Sequence, residues 1–255
     1  AEPVADPAGG VRVDVALPAG SVRVADALGP LDSAVVGAGA LSLRLPGAGS
    51  ALAVSAVGAR ARVAVPARPR LGELVVIGTA GWEAKFAVAA LEERGWTVRA
   101  PLLVAPGLAV GAARGGGPAP ARGEALDTAA VAAVVLLDSA AGATVPGLAP
   151  AVARYVQRGG GLVLVGDADR LPGLAGLAPA RAAGGAPGVG DTSAVRALER
   201  VRADAVPLGW SVKDGRRVLA AAARRVGSGR VVQSGHVATW RRRFDPADDA
   251  APAAH

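Results

Sequence analysis

The sequence predicts an α/β protein, a mostly parallel sheet with helices on both faces, preceded by a small antiparallel, sandwich-like β segment. Three observations predict it. Short stretches of apolar–polar alternation fill residues 11 to 67, a helical period appears after residue 71, and near-continuous apolar strands then alternate with helical stretches. The expected division is 1–69 for the β segment and 70–255 for the α/β domain, with the linker Pro66 to Arg70 between the two patterns.

In the first segment, Val11 to Leu17, Ser21 to Leu28, Ala40 to Leu45, Ala51 to Val57 and Ala61 to Val65 alternate with period two and are separated by Gly and Pro turns. Such spacing means antiparallel strands. The segment contains no aromatic residue and no His, so its role is read as structural. From Leu71 onward, Gly72 to Thr79 is an apolar strand and Trp82 to Gly95 a helix, with Trp82, Phe86, Ala89 and Ala90 on one face and Gly95 as its cap. Trp82 and Phe86, four apart, are expected in the core. Trp96 to Val104 is a second strand, and Gly107 to Ala125 a long Gly/Pro/Arg loop. Ala132 to Asp138 is a buried strand, Pro146 to Gln157 a helix ending at Gly159 to Gly161, and Gly161 to Gly166 a further buried strand. After a Gly/Pro/Ala loop from Leu171 to Gly190, a short helix is expected over Thr192 to Arg200. Three hairpin-ordered strands follow, from Asp204 to Trp210, Arg216 to Arg225 and Gly229 to Gly235.

Composition excludes several chemistries. The 255 residues contain no Cys, so disulfides, thiolate metal sites, iron–sulfur clusters and cysteine nucleophiles are impossible. Two Lys stand against 26 Arg, with one Ile and no Asn, a bias that resembles GC-rich coding rather than selection for a ligand. Residues 196 to 243 hold 12 basic and 3 acidic side chains, whereas the remainder of the chain sums to −2. Solvent-facing arginines in an Arg-biased chain explain that excess better than an anionic partner does, and the absence of interleaved aromatic and basic residues argues against nucleic acid. The stretch from Thr128 to Ala153 is interrupted by Asp138, Pro146 and Pro150 and does not suit a membrane span. A polar, Pro-containing start at Ala1 and the absence of Met lead us to expect a removed signal peptide or anchor, hence an extracytoplasmic, periplasmic location with a possible membrane tether.

The strand–helix Val75 to Leu91, the strand Val134 to Asp138, the turn Tyr155 to Gly166 and the closing stretch Gly227 to Phe244 together resemble the class I glutamine-amidotransferase-like domain of large bacterial membrane-anchored proteins. The TrpGlu-x-LysPhe and ThrTrpArg-x-ArgPhe elements carry most of that resemblance, which covers Leu71 to Phe244. It implies a flavodoxin-like sheet. It also implies a nucleophilic Cys at a sharp strand-to-helix turn, and there this sequence has Asp167, Ala168 and Asp169 instead. Glutamine hydrolysis by a thiolate is excluded, although His236 lies where a family His falls.

Carboxyl ends of parallel strands collect ligands, which directs attention to Thr79 to Glu83, Asp138, Ser139, Asp167 to Asp169 and His236. Two readings of the acids stand. Asp138, Asp167 and Asp169 with His236 have the donor types for a divalent cation or for acid/base hydrolysis, and acids at strand ends are also caps for the turns that follow. A Ser139–His236–Asp167 triad is a third arrangement, without the usual nucleophile elbow. Glu83 is placed at the pocket edge and in the first helical turn, where a carboxylate meets the helix dipole favourably. Gly159 to Gly161 follow a helix and open a strand, so they form a turn and not a phosphate cradle. Trp240, Arg241, Arg242 and Arg243 make an aromatic–arginine cluster suited either to an interface or to edge packing. The expected function is therefore a non-catalytic, glutamine-amidotransferase-like interaction or scaffold module in a membrane-associated, extracytoplasmic assembly, with a protein partner and no cofactor or metal. The alternative is a hydrolase at the strand ends.

Overall fold

Residues with alternating burial need two sheets facing each other, and the first part of the chain supplies them. The computed structural model describes residues 1–244 except 5, 8, 46, 47, 50, 57, 66, 68–70, 106, 112–125 and 185–194, with only the backbone at 144 and 242–244. It divides into two units, Ala1–Leu71 and Gly72–His255. Most of the expected linker and of the Gly107 to Ala125 loop lies outside the described residues.

In the first unit the strands are β1 (Glu2–Pro3), β2 (Val11–Leu17), β3 (Gly20–Asp26), β4 (Gly29–Val36), β5 (Gly39–Leu45), β6 (Ala51–Ala56) and β7 (Ala59–Ala64). They form two antiparallel sheets, ordered β1-β2-β5 and β4-β3-β6-β7. Val11, Val13, Leu43 and Leu45 of one sheet pack with Val22, Val24, Leu52 and Leu52's neighbour-but-one Val54 of the other, a single apolar layer of mostly small side chains. The alternation that predicted the strands is thus the alternation that fills this core.

The second unit contains β8 (Glu73–Thr79), α1 (Trp82–Glu93), β9 (Val98–Arg99), β10 (Pro101–Ala105), β11 (Leu108–Gly111), β12 (Val131–Leu136), α2 (Ala141–Thr144), α3 (Leu148–Gln157), β13 (Gly161–Val165), β14 (Arg181–Ala182), β15 (Leu198–Glu199), β16 (Val206–Lys213), β17 (Arg216–Val226) and β18 (Gly229–Ser234). Nine strands share one sheet in the order β11-β10-β8-β12-β13-β18-β17-β16, with β9 also paired to β8. Strands β10, β8, β12, β13 and β18 run parallel, and β11, β17 and β16 are antiparallel additions. Val75, Ile77, Val134, Leu136, Leu162 and Leu164 pack with the α3 residues Val152, Tyr155 and Val156. Leu74, Val76, Ala133 and Val135 pack with Ala84 and Val88 of α1 on the opposite face.

This corrects the expected fold. The chain is mostly β, with 50% strand against 15% helix, several antiparallel sheets and one mixed nine-stranded sheet. It is not flavodoxin-like: in place of a mostly parallel sheet with full helical layers on both faces, a mixed nine-stranded sheet is accompanied, among the described residues, by only three α-helices. The physical reason lies in the last crossover. Between β13 and β18 the expected helix at Thr192 to Arg200 is replaced, in its described part, by a bridge from Val195 to His236 and by β15 paired with β14. Leu198 is buried against Ala180, Ala182, Leu219 and Ala222, so its burial serves a strand pairing and not a helix face. Residues 192–194 lie outside the described part.

Tight approaches explain the glycine turn after α3. A Cβ on Gly160 would stand 2.2 Å from the Tyr155 ring, and the Tyr155 hydroxyl, fully buried, donates to the Val131 carbonyl at 3.0 Å. Helix and sheet are locked there by one hydrogen bond and a side-chain-free surface. At the far edge, β16 is irregular, with two register shifts, and carries Pro207 and Lys213, features that discourage pairing by a further strand.

Candidate functional site

The winding of the parallel strands reverses between β8 and β12, so their carboxyl ends are where loops diverge. Asp138, just past β12, closes that gap by accepting the Thr79 N–H at 2.8 Å on Oδ2. Gly78 permits the approach, since a Cβ there would lie 2.8 Å from the Leu137 Cβ and 3.2 Å from Asp138 Oδ2. Asp138 Oδ1 is buried without a hydrogen-bond partner. One strand along, Asp167 accepts both the Ser139 N–H at 3.1 Å and the Ser139 Oγ at 3.3 Å. Each carboxylate therefore ties the end of its own strand to the strand or turn before it.

Strand β13 then ends at Gly166, in the left-handed region at φ 62, and only a three-residue 3-10 turn, Ala168–Arg170, follows. Asp169 sits on that turn and faces away from the other acids. It is 2% exposed, its Oδ2 accepts the Ala182 N–H at 3.2 Å, and burial pushes its carboxyl above the ordinary range against the opposing pull of that hydrogen bond and of Arg181 and Arg170. His236 is half-buried beyond β18, where its backbone bridges Val195 and its N–H donates to Ser234 Oγ at 3.3 Å.

The expected acid cluster is thus only partly assembled. Asp138 reaches β8 and Ser139 meets Asp167 directly, while Asp169 is directed to β14. Among the described residues no group of three or more His, Asp or Glu is placed to hold a metal ion. A catalytic triad would need Ser139 on an imidazole; its hydroxyl instead donates to Asp167.

A second group, read from the sequence as two separate features, is brought together at the start of α1. Ala238, at φ 53, turns the chain after β18 into the 3-10 segment Thr239–Phe244. Thr239 Oγ1 donates to Glu83 Oε1 at 2.6 Å, and Glu83 Oε2 is buried without a partner. The Trp240 ring lies 6.0 Å from that of Trp82, which lies 6.0 Å from that of Phe86. Lys85 Nζ stands 4.9 Å over the Trp82 ring, and the Arg241 guanidinium 5.5 Å over that of Trp240. Trp82, expected in the core, is 57% exposed, because α1 is covered along Ala84 and Val88 and its first turn overhangs the sheet. The side chains of Arg242 and Arg243 lie outside the described residues.

The sequence leads one to expect Trp240 and Arg241 at an interface or in edge packing, Glu83 at the pocket edge and Trp82 in the core, and gives Lys85 no site role. The signal was present in part. Trp82, Lys85 and Phe86 are spaced three and four apart on one helical side, yet the contact that completes the cluster spans 156 residues of sequence. Compared with protein-family models, curated proteins and solved structures, the chain matches none. No helix among the described residues is long and apolar enough to cross a membrane.

Proposed function

We propose that the chain is a non-catalytic, glutamine-amidotransferase-like module that acts by binding a protein partner in an extracytoplasmic, membrane-associated assembly. The observation that supports this most directly is the surface formed by Trp82, Lys85, Trp240 and Arg241. Trp and Arg are the residue types whose truncation most often costs about 2 kcal/mol or more at interfaces. Here the 57% exposed Trp82 indole, with Lys85 over it, is flanked by the Trp240 indole, with Arg241 over that. An aromatic face of two mutually tilted indoles with a cationic border suits an apolar partner surface ringed by acids, and the basic excess of residues 196 to 243 favours the same partner sign. The extracytoplasmic and membrane-associated setting rests on the resemblance alone.

The carboxylates at the strand ends serve this reading as scaffold. Asp138 gives one oxygen to the Thr79 N–H and Asp167 both of its oxygens to Ser139, which ties the ends of β8, β12 and β13 together. Photo-crosslinking in native membranes tests the proposal, with a photoreactive residue replacing Lys85 in one chain and Glu93, at the opposite end of α1, in another. A single dominant protein adduct at position 85 and none at 93 is expected. Equal labelling at both positions, or a specific turnover abolished by Asp167→Ala or His236→Ala, would contradict it.

A further inference from the structure

A cavity of about 260 Å³ in the second unit is lined by Asp169, Arg181, Arg200 and Arg202 together with Ala175, Ala178 and Ala180. The arginines around this segment separate into two groups by what they bond. Arg170 donates to the Ala182 carbonyl, Arg202 to the carbonyls of Ala175 and Ala178, and Arg224 to that of Gly176, so these three tie the segment down. Arg181 and Arg200 make no hydrogen bond or ion pair of that kind among the described residues, although both line the cavity. Glu199 pairs in register with Arg181 across β14 and β15, yet it forms no ion pair with it. Arg200 is one of three non-glycine residues in the left-handed region among the described residues, at φ 47, a conformation that persists only where the surrounding chain holds it.

The lining opposes three guanidinium groups to one carboxylate, and that carboxylate is enclosed and bonded to the Ala182 N–H. A formal surplus of positive charge in a concave site of small alanine walls selects for a compact anion. Guanidinium groups present planar donor pairs that match the oxygens of phosphate or carboxylate. We propose that this cavity binds the oxyanion group of a small molecule, with Arg181 and Arg200 as its direct ligands and Arg202, immobilised by two carbonyls, as the fixed wall between them and the Ala175–Ala180 segment.

Isothermal titration calorimetry on the full chain, at constant ionic strength, with inorganic phosphate in one series and acetate in another, tests this. Saturable binding of either anion is expected, and phosphate alone or acetate alone identifies the oxyanion class. Arg181→Ala and Arg200→Gly are each expected to weaken it about tenfold or more. Glycine is chosen at 200 because it accepts a positive φ. Arg216→Ala removes the same charge from the exposed start of β17 and is expected to leave affinity within about twofold. If Arg181→Ala lowers the melting temperature, Arg181→Gln keeps the side chain's bulk and replaces it. Absence of binding to both anions at about 10 mM, roughly a ten-thousandth of the strength of a micromolar site, overturns the proposal. So does an equal loss in Arg216→Ala, which would mean general attraction to a basic surface.

Discussion

Asp167 shows how a residue that looks catalytic in sequence acts as a brace. Its two oxygens receive the Ser139 N–H and hydroxyl, so Asp167→Ala leaves a part-buried N–H without its acceptor. A loss of about 1–3 kcal/mol is expected, read as a lower urea midpoint at unchanged slope. Asp167→Asn, which retains one acceptor oxygen, should lose less. Asp169 makes a prediction of opposite character. Burial raises its carboxyl in the folded chain, so the folded state favours the protonated form. That contribution is fully present below the unfolded carboxyl's value of about 3.9 and is lost as pH rises through the higher folded value. The stability difference between Asp169→Asn and the parent should therefore move in the variant's favour as pH rises from about 4, measured by denaturation across pH. A flat difference would place Asp169 in water. These roles were not legible in the sequence, where acids at the ends of apolar strands read alike whether they cap, coordinate or catalyse. Only the partner tells them apart, and Ser139 lies 28 residues from Asp167.

Elements were more legible than their assembly. Period-two alternation located β2, β3, β5 and β6, because one buried face per strand imposes it, and also β7, of which only Val63 is partly buried. It missed β4, whose Gly29–Val36 strand is largely exposed and opens with Gly-Pro, so it carries no apolar stripe. Runs such as LVVI and GLVLV located β8 and β13 because both faces of those strands are covered. The expected helix at Thr192 to Arg200 failed since its apolar residues serve other contacts, Val195 the bridge to His236 after β18 and Leu198 the packing against Leu219 and Ala222 of β17. The docking of Thr239–Phe244 on α1 is a prediction at this scale. Thr239→Val removes the hydrogen bond to Glu83 and is expected to cost about 0.5–1.5 kcal/mol. It should also weaken the exciton signal of the Trp82–Trp240 pair in far-ultraviolet circular dichroism. An unchanged signal would mean that ring packing alone seats the segment.

For the whole molecule, each unit is stabilised by a core drawn from its own residues. Val11 to Val54 supply the first, and residues from Leu74 to Val231 the clusters of the second. Leu52→Ala, at a position with 0% exposure, should remove about 2–5 kcal/mol from the first unit. Hydrogen exchange should show lost protection in Ala1–Leu71 and retained protection in the β8–β12–β13 strands; a uniform loss across both would mean the units unfold as one. Small side chains make both cores sensitive to such deletions, since alanine and valine leave few rotamers with which to refill a gap. The functional account depends on the second unit, whose sheet ends and first helix present the Trp82–Trp240 surface. The measurement that tests it most directly is quantitative affinity capture from native membranes with the parent chain, a Trp82→Ala/Trp240→Ala chain and an Arg216→Ala chain, each first shown to be folded. The account predicts one protein recovered with the parent and with Arg216→Ala, and reduced about tenfold or more with the double variant. Equal recovery with all three would contradict it.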